Sequence, residues 1–119
     1  SDMLLAYMNG NGVLQWEDYY GGSGDESAWA LAVDSSSNVI LVGQTDGSVD
    51  SEPSIGGIDA LVISVDSTGV ESWTALFGTT VDDVVLGVVL DENDNIYVTG
   101  RTTGTMGSQT FGGTDIFIA

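Results

Sequence analysis

The chain has 119 residues, with 17 glycines, one proline, no cysteine and a hydrophobic fraction of 42%. It has enough apolar material for a core, while the lack of Cys excludes disulfides and thiolate metal sites. Eighteen acidic residues and a single basic one, Arg101, give a formal charge of −17. Nucleic acid and anionic membranes are therefore disfavoured as partners, because both are bound through Lys and Arg.

The first half of the chain reads as four short strands separated by turns. We predict strands over Met3–Met8, Leu14–Tyr20, 28–33 and 39–43, because apolar residues alternate or cluster there between Gly, Asn and Ser. Residues 28–33 alone could form a helix. We interpret them as a strand because the matching segment later in the chain is rich in β-branched residues.

The second half repeats this order. Strands are predicted over 60–66, 72–77, 84–90 and 96–100, with a hairpin turn at 67–69. The segment 84–90 is almost continuously apolar, which is typical of a strand covered on both faces. A Gly-rich polar stretch, 101–113, leads to a last apolar segment.

The two halves are copies of one unit. A shift of 57 positions superposes turn residues and a Trp: Gly12 on Gly69, Trp16 on Trp73, Gly21 on Gly78, Asp34 on Asp91 and Gly43 on Gly100. After the loss of one residue, the segment Gly-Gly-Ile-Asp at 56–59 matches Gly-Gly-Thr-Asp at 112–115. Repeats of this length indicate stacked supersecondary units. We therefore divide the chain into units 1–57 and 58–113, with 114–119 as the first strand of a third.

Several segments of the units resemble the bacterial propeller family known as the SBBP repeat. They are Gly-Gly-Ser-Gly-Asp-Glu-Ser-Ala-Trp at 21–29, Ala-Val-Asp-Ser-Ser-Ser-Asn-Val at 32–39, Asn-Ile-Tyr-Val-Thr-Gly at 95–100 and the Gly-Gly segments at 56–60 and 112–115. The resemblance implies an all-β fold of tandem four-stranded antiparallel β-propeller blades, here two blades and the first strand of a third. It also implies a secreted or cell-surface bacterial protein, and no defined reaction.

Two blades cannot close a propeller, which needs about four to eight. Three interpretations remain open. The chain is a segment of a longer propeller, several copies form a closed ring, or copies join end to end into a fibre by strand addition at open edges.

One turn has the composition of a calcium loop. Asp91, Asn93 and Asn95 place oxygen-bearing side chains at alternate positions, as calcium loops do. A complete EF-hand loop would need Gly and Glu where Ile96 and Thr102 stand. The alternative is a hairpin turn in which Asp and Asn accept hydrogen bonds from nearby backbone N–H groups. We expect no cofactor, with calcium as the alternative.

Paired carboxylates occur at Asp25-Glu26 and Asp82-Asp83. Such pairs can catalyse glycoside hydrolysis. Because these recur with the period of the fold, we interpret Asp25 and Asp82 as caps for backbone donors at the start of a strand. The tryptophans at 16 and 73 also recur. We expect them to pack between blades, with sugar stacking as the alternative.

The chain has no His and no Lys, which excludes a Ser-His-Asp triad, His-ligated zinc and Schiff-base chemistry. We therefore predict a non-enzymatic binding or structural module, with a self-assembling ring or fibre subunit as the first alternative and a glycan-active enzyme fragment as the second. The expected partners are a protein or glycan, bound at loops 43–57 and 100–113, or copies of the chain. No nucleic acid and no membrane insertion are expected.

Overall fold

The computed structural model describes residues 1–105 and 115–118, and this part of the chain is built from strands and turns. The strands are β1 Met3–Met8, β2 Leu14–Tyr20, β3 Glu26–Val33, β4 Val39–Thr45, β5 Asp59–Val65, β6 Glu71–Phe77, β7 Asp83–Leu90, β8 Ile96–Thr102 and β9 Asp115–Ile118. The prediction of a strand at 28–33 is confirmed. The described residues contain no apolar helix of membrane-spanning length.

The strands form three antiparallel sheets, which confirms the predicted all-β fold of blade-type sheets. The first sheet is β1-β2, the middle sheet is β3-β4-β5-β6 and the third sheet is β7-β8-β9. The division at residue 58 lies between β4 and β5, which pair at seven positions from Val39 with Val65 to Thr45 with Asp59. One sequence unit is therefore not one sheet. The middle sheet combines the last two strands of the first unit with the first two strands of the second unit. This arrangement arises because the loop after β4 brings β5 alongside it.

Irregularities in the strands recur with the same period as the sequence. The pairing shifts at Trp29 in β3 and at the equivalent Leu86 in β7. Opposite these bulges, Gly43 and Gly100 approach the neighbouring backbone so closely that a Cβ would lie 1.9 and 1.8 Å from a carbonyl oxygen. No other residue fits such an approach. The repeated Gly is thus explained by the repeated bulge.

The core lies in two apolar layers, one on each side of the middle sheet. Towards the first sheet, the middle sheet presents Leu41, Leu61, Ile63 and Val65, which pack on Met3, Leu5 and Tyr20. Towards the third sheet it presents Ile40, Val42, Ala60 and Val62, which pack on Val85 and Val98. Every residue of β5 is buried. That is the expected pattern for a strand with a sheet on each side.

The prediction that the segment 84–90 is covered on both faces is wrong for its second half. Val84 and Val85 are buried, but Leu86 and Val89 are 46% and 65% exposed. The strand belongs to the third sheet, and no described sheet covers the outer face of that sheet. The apolar run therefore has one buried face and one open face.

The packing predicts that the same substitution lowers the free energy of unfolding by different amounts at equivalent positions of the two units. Leu61 is completely buried, whereas Leu4, its counterpart in the first unit, is 51% exposed. We expect Leu61→Ala to lower the free energy of unfolding by about 2–5 kcal/mol. Leu4→Ala should cost less than about 1 kcal/mol. Urea unfolding at low protein concentration measures both, and equal costs would contradict the described packing.

Candidate functional site

Each of the four short hairpin turns in the described residues is shaped by an Asn or Asp side chain. In each turn one side-chain oxygen, of Asn9, Asp34, Asp66 or Asp91, accepts the backbone N–H groups two and four residues further on, at 2.8–3.1 Å. The side-chain oxygen thereby accepts hydrogen bonds from backbone N–H groups that a tight turn would leave unpaired. The repeated Asp and Asn residues thus have a structural role in shaping the turns.

The predicted calcium residues lie in the last of these turns. Asp91 Oδ1 accepts the N–H groups of Asn93 and Asn95 at 2.9 Å each, and Oδ2 accepts Asn95 Nδ2 at 2.8 Å. Both carboxylate oxygens are thus engaged within the turn. In the described part of the chain, no three His, Cys, Asp or Glu side chains are grouped to hold a metal ion. Calcium binding at Asp91, Asn93 and Asn95 stays a prediction. It would require the Asp91 carboxylate to give up these hydrogen bonds in order to bind the ion.

Hydrogen bonding lowers the pKa of the turn carboxylates. The Asn38 side chain does so for Asp34, Thr68 for Asp66, and Asn95 for Asp91, each aided by backbone N–H groups. A donor that binds the charged carboxylate favours ionisation. These three side chains remain charged to lower pH than an ordinary Asp.

The two members of each carboxylate pair lie in different surroundings. Asp82 Oδ1 accepts the N–H of Ile58 at 3.0 Å, while Asp83 is buried and its Oδ2 accepts the N–H of Thr79 at 2.6 Å. Asp25 contacts the terminal ammonium group of Ser1, which stands where Ile58 stands in the second unit. Asp82 thus caps a backbone donor, as predicted, whereas no backbone donor is described for Asp25; the second carboxylate of each pair, Glu26 or Asp83, is buried.

Sequence reasoning missed a row of buried polar side chains at one end of the sheets. Glu26, Thr45 and Asp59 are neighbours across β3, β4 and β5 and are at most 2% exposed. Glu26 Oε1 accepts the Thr45 hydroxyl at 2.6 Å. One carboxylate oxygen on each of Glu26, Asp59 and Asp83 has no hydrogen-bond partner among the described residues. The recurrence of Glu26 as Asp83 at the repeat spacing was the signal that could have revealed it.

Trp16 and Tyr20 join the first sheet to the middle one. Trp16 Nε1 donates to the carbonyl oxygen of Ser67 at 3.3 Å, and its ring lies against Gly69. The Tyr20 hydroxyl donates to the carbonyl oxygen of Gly69 at 2.6 Å. Burial, followed by the nearby carboxylates, raises the pKa of Tyr20, which keeps the donor protonated. Trp16 therefore packs between sheets, as predicted.

Trp73, the counterpart of Trp16, lies instead beside an open groove. Its side chain is 42% exposed. The groove has a volume of about 240 Å³ and is lined by Val62, Trp73, Ala75, Phe77, Ile96 and Val98. The contact that covers Trp16 is thus absent for Trp73 among the described residues.

The two outer sheets each have an open apolar face. We call the outer face of the first sheet, with Leu4 and Met8, the trailing face; these residues are 51% and 57% exposed. We call the outer face of the third sheet, with Val89, Tyr97 and Ile118, the leading face; these are 65%, 46% and 79% exposed. Exposed apolar patches of this kind mark interaction surfaces.

The predicted binding loop 43–57 is held by a backbone bridge and by the neighbouring Asp59 side chain. Val49 is buried and forms a backbone bridge with Glu52. Asp59 Oδ2 accepts the N–H of Ile55 at 2.9 Å, while the Ile55 side chain is 44% exposed. Of the second predicted loop, 100–113, residues 106–113 lie outside the described part of the chain.

The lowered pKa of Asp66 predicts a stability loss in acid. Because its folded-state pKa lies below the ordinary 3.8, its contribution is present above that value and is lost as the pH falls through the folded-state pKa. We expect the melting temperature of Asp66→Asn to fall less between pH 4 and 2 than that of the unsubstituted chain. Asn9 shows that Asn can shape this turn.

The control for this prediction is Glu92→Gln, which removes the same charge from an exposed position. It should leave the acid-induced fall in melting temperature unchanged. Equal falls for Asp66→Asn and the unsubstituted chain would refute the stabilising role of the carboxylate.

Known proteins show the same repeat. Residues 72–105, from β6 to the loop after β8, match the family model described as the SBBP β-propeller repeat. An uncharacterised WD repeat-containing protein of Acanthamoeba polyphaga mimivirus is 31% identical over 106 residues, covering 74% of this chain and 8% of that protein. The chain thus spans less than a tenth of the relative's length, and WD repeats also form propeller blades. Together with the three sheets, these matches assign an SBBP-type β-propeller repeat to residues 72–105 of this chain, a repeat typical of binding and structural modules.

Proposed function

We propose that the chain is a non-enzymatic structural module of a secreted or cell-surface protein, and that further sheets of the same repeat cover its two open faces. One observation carries this proposal. Leu61 and Val65 are completely buried under the first sheet, whereas their counterparts Leu4 and Met8 are more than half exposed. The same position is thus buried or open according to whether a neighbouring sheet is present.

The trailing and leading faces are complementary to each other. The trailing face corresponds to the side of the middle sheet that packs on the first sheet, since Leu4 corresponds to Leu61. The leading face corresponds to the side that packs on the third sheet, since Tyr97 corresponds to Ile40. Each open face can therefore pack on a further sheet of the repeat with the geometry that the chain already uses on the two sides of its middle sheet.

The composition supports a place outside the cell. A charge of −17 on 119 residues opposes close packing through like-charge repulsion, which dissolved salt screens within about 10 Å at 0.1 M. The residues that define the two open faces are apolar, so the charge lies elsewhere. Saline surroundings would thus permit the sheets to stack.

The described carboxylates support a non-enzymatic role. Asp82, Asp83 and Glu26 each hold a loop or strand through specific hydrogen bonds. The chain lacks His, Lys and Cys, which supply most nucleophiles and bases. Calcium remains a proposal for the Asp91 turn.

A second candidate function is protein or glycan binding at loop 43–57. The observation that favours it is the exposed Ile55 side chain on a loop whose backbone is held by Asp59. Rigid loops with an exposed apolar residue are suited to recognition.

The structural proposal predicts that added repeats stabilise the chain. A tandem fusion in which residues 1–113 are followed directly by a complete second copy, so that the repeat continues in phase, should unfold at a higher urea concentration than one copy, because repeat proteins gain a stabilising interface with each neighbour. It should also bind less of a hydrophobic dye per copy, since one trailing and one leading face become covered. Urea unfolding and dye fluorescence measure these effects.

The matched control is the same fusion with Leu4→Glu in the second copy only, at the trailing face that the junction would cover. It should return the unfolding midpoint to that of a single copy. A tandem chain with the midpoint and dye binding of two independent copies would overturn the structural proposal.

A further inference from the structure

A small polar cavity lies between the middle and third sheets, at the end where β4 and β8 lead into the two predicted binding loops. Its volume is about 220 Å³, which is below the about 300–1,000 Å³ typical of sites for drug-sized ligands. Unlike the groove beside Trp73, it has charged and polar residues in its walls. The residues that line it are Gln44, Ile58, Asp82, Val84, Arg101 and Thr103. The cavity therefore suits a small molecule with polar groups.

A cationic and an anionic residue border this cavity. Arg101 is the single basic residue of the chain, and it forms no ion pair with a described side chain. Asp82 Oδ1 accepts the N–H of Ile58 at 3.0 Å, whereas Oδ2 accepts no hydrogen bond from the described residues. Val84 pairs with Arg101 across the strands, so Asp82, two residues earlier, is a diagonal neighbour about 7–8 Å away. The two charges thus border one space without neutralising each other.

Gln44 adds a hydrogen-bond donor to the cavity. Trp29 Nε1 donates to Gln44 Oε1 at 3.2 Å. An indole N–H can only donate, so the amide oxygen must be the atom that meets it. Gln44 Nε2 donates to no described residue and remains available to a ligand. The cavity thus offers two donor groups, the amide of Gln44 and the guanidinium of Arg101, and one acceptor, the carboxylate of Asp82.

We propose that this cavity binds a small zwitterion of the α-amino acid class. The ligand carboxylate would accept hydrogen bonds from Arg101 and Gln44 Nε2, and the ligand ammonium group would donate to Asp82 Oδ2. An apolar side chain of the ligand would lie against Ile58 and Val84. Arginine and a carboxylate form a strong, charge-assisted pair. This inference goes beyond the structural function and does not depend on further sheets covering the open faces.

The charge of the chain favours a zwitterion over a simple anion. A formal charge of −17 repels a free carboxylate or phosphate on its way to the single arginine. An α-amino acid has no net charge at neutral pH, since its two charged groups cancel. A neutral sugar also escapes the repulsion, but it would leave Arg101 and Asp82 without ionic partners.

The walls of the cavity are held by hydrogen bonds. The N–H of Thr103 donates to the carbonyl oxygen of Asp82 at 2.9 Å, and the N–H of Asp83 donates to that of Ile58 at 2.7 Å. Val84 is buried. Groups placed on strands or at their ends are positioned more precisely than groups on free loops. The binding groups are therefore held in position by the fold itself.

L-leucine and two of its fragments test the proposal on the full chain. Isocaproate is leucine without its ammonium group, and isoamylamine is leucine without its carboxylate. We expect leucine to shift the NMR signals of the Trp29 indole N–H and of the Gln44 side-chain amide. Each fragment should bind at least about tenfold more weakly, because each lacks one of the two charge-assisted contacts.

Two substitutions test the residues that form these contacts. Arg101→Gln and Asp82→Asn should each weaken leucine binding at least about tenfold. Asn keeps an oxygen for the N–H of Ile58, so the Asp82→Asn variant should fold, which its melting temperature checks. The control Glu92→Gln removes the same charge from an exposed position in the turn after β7. It should bind leucine like the unsubstituted chain.

Four results would overturn the proposal: no shift of these signals at millimolar leucine, equal binding of leucine and isocaproate, unchanged binding by both variants, or shifts caused by D-glucose in place of leucine. The last result would assign the cavity to a neutral sugar. The tandem fusion tests the structural function separately, so either idea can fail while the other holds.

Discussion

The burial of one apolar sheet face against another is the interaction on which this structure depends. Without disulfides, and without helices among the described residues, the middle sheet is held by an apolar layer on each side. Strand β5 has no exposed residue because both of its faces are covered. Repeat units of this kind are stabilised largely by the interfaces with their neighbours.

Polar groups at the sheet ends hold this stack in register. Turn side chains such as Asp34 and Asp91 accept the backbone N–H groups of their own hairpins, and Asp94 links the two turns through the backbone N–H of Ser35. Buried carboxylates on Glu26 and Asp83 anchor the start of β3 and β7. Because the turn contacts of Asp34 and Asp91 recur with the repeat, the acidic composition is in part a consequence of the architecture.

The same constraint links fold to function. Each sheet of the repeat has two apolar faces that can pack on neighbouring sheets. The outer sheets therefore expose a face whose equivalent is buried in the middle sheet, with apolar residues such as Leu4, Met8, Val89 and Tyr97. The contact between Trp16 and the turn at Gly69 has no equivalent at Trp73 among the described residues, and Trp73 is 42% exposed.

The sequence by itself determined the repeat, the strands and the turns, because alternation, Gly and Asx residues act locally. It correctly predicted that Trp16 packs between sheets and that Asp82 caps a backbone donor, since both recur at the spacing of 57. Only the tertiary structure decided that β4 pairs with β5 across the unit boundary, that Leu86 and Val89 are open, and that Glu26 and Asp83 are buried. The physical reason is that alternation shows which side of a strand a residue faces, whereas burial depends on whether another sheet lies against that side.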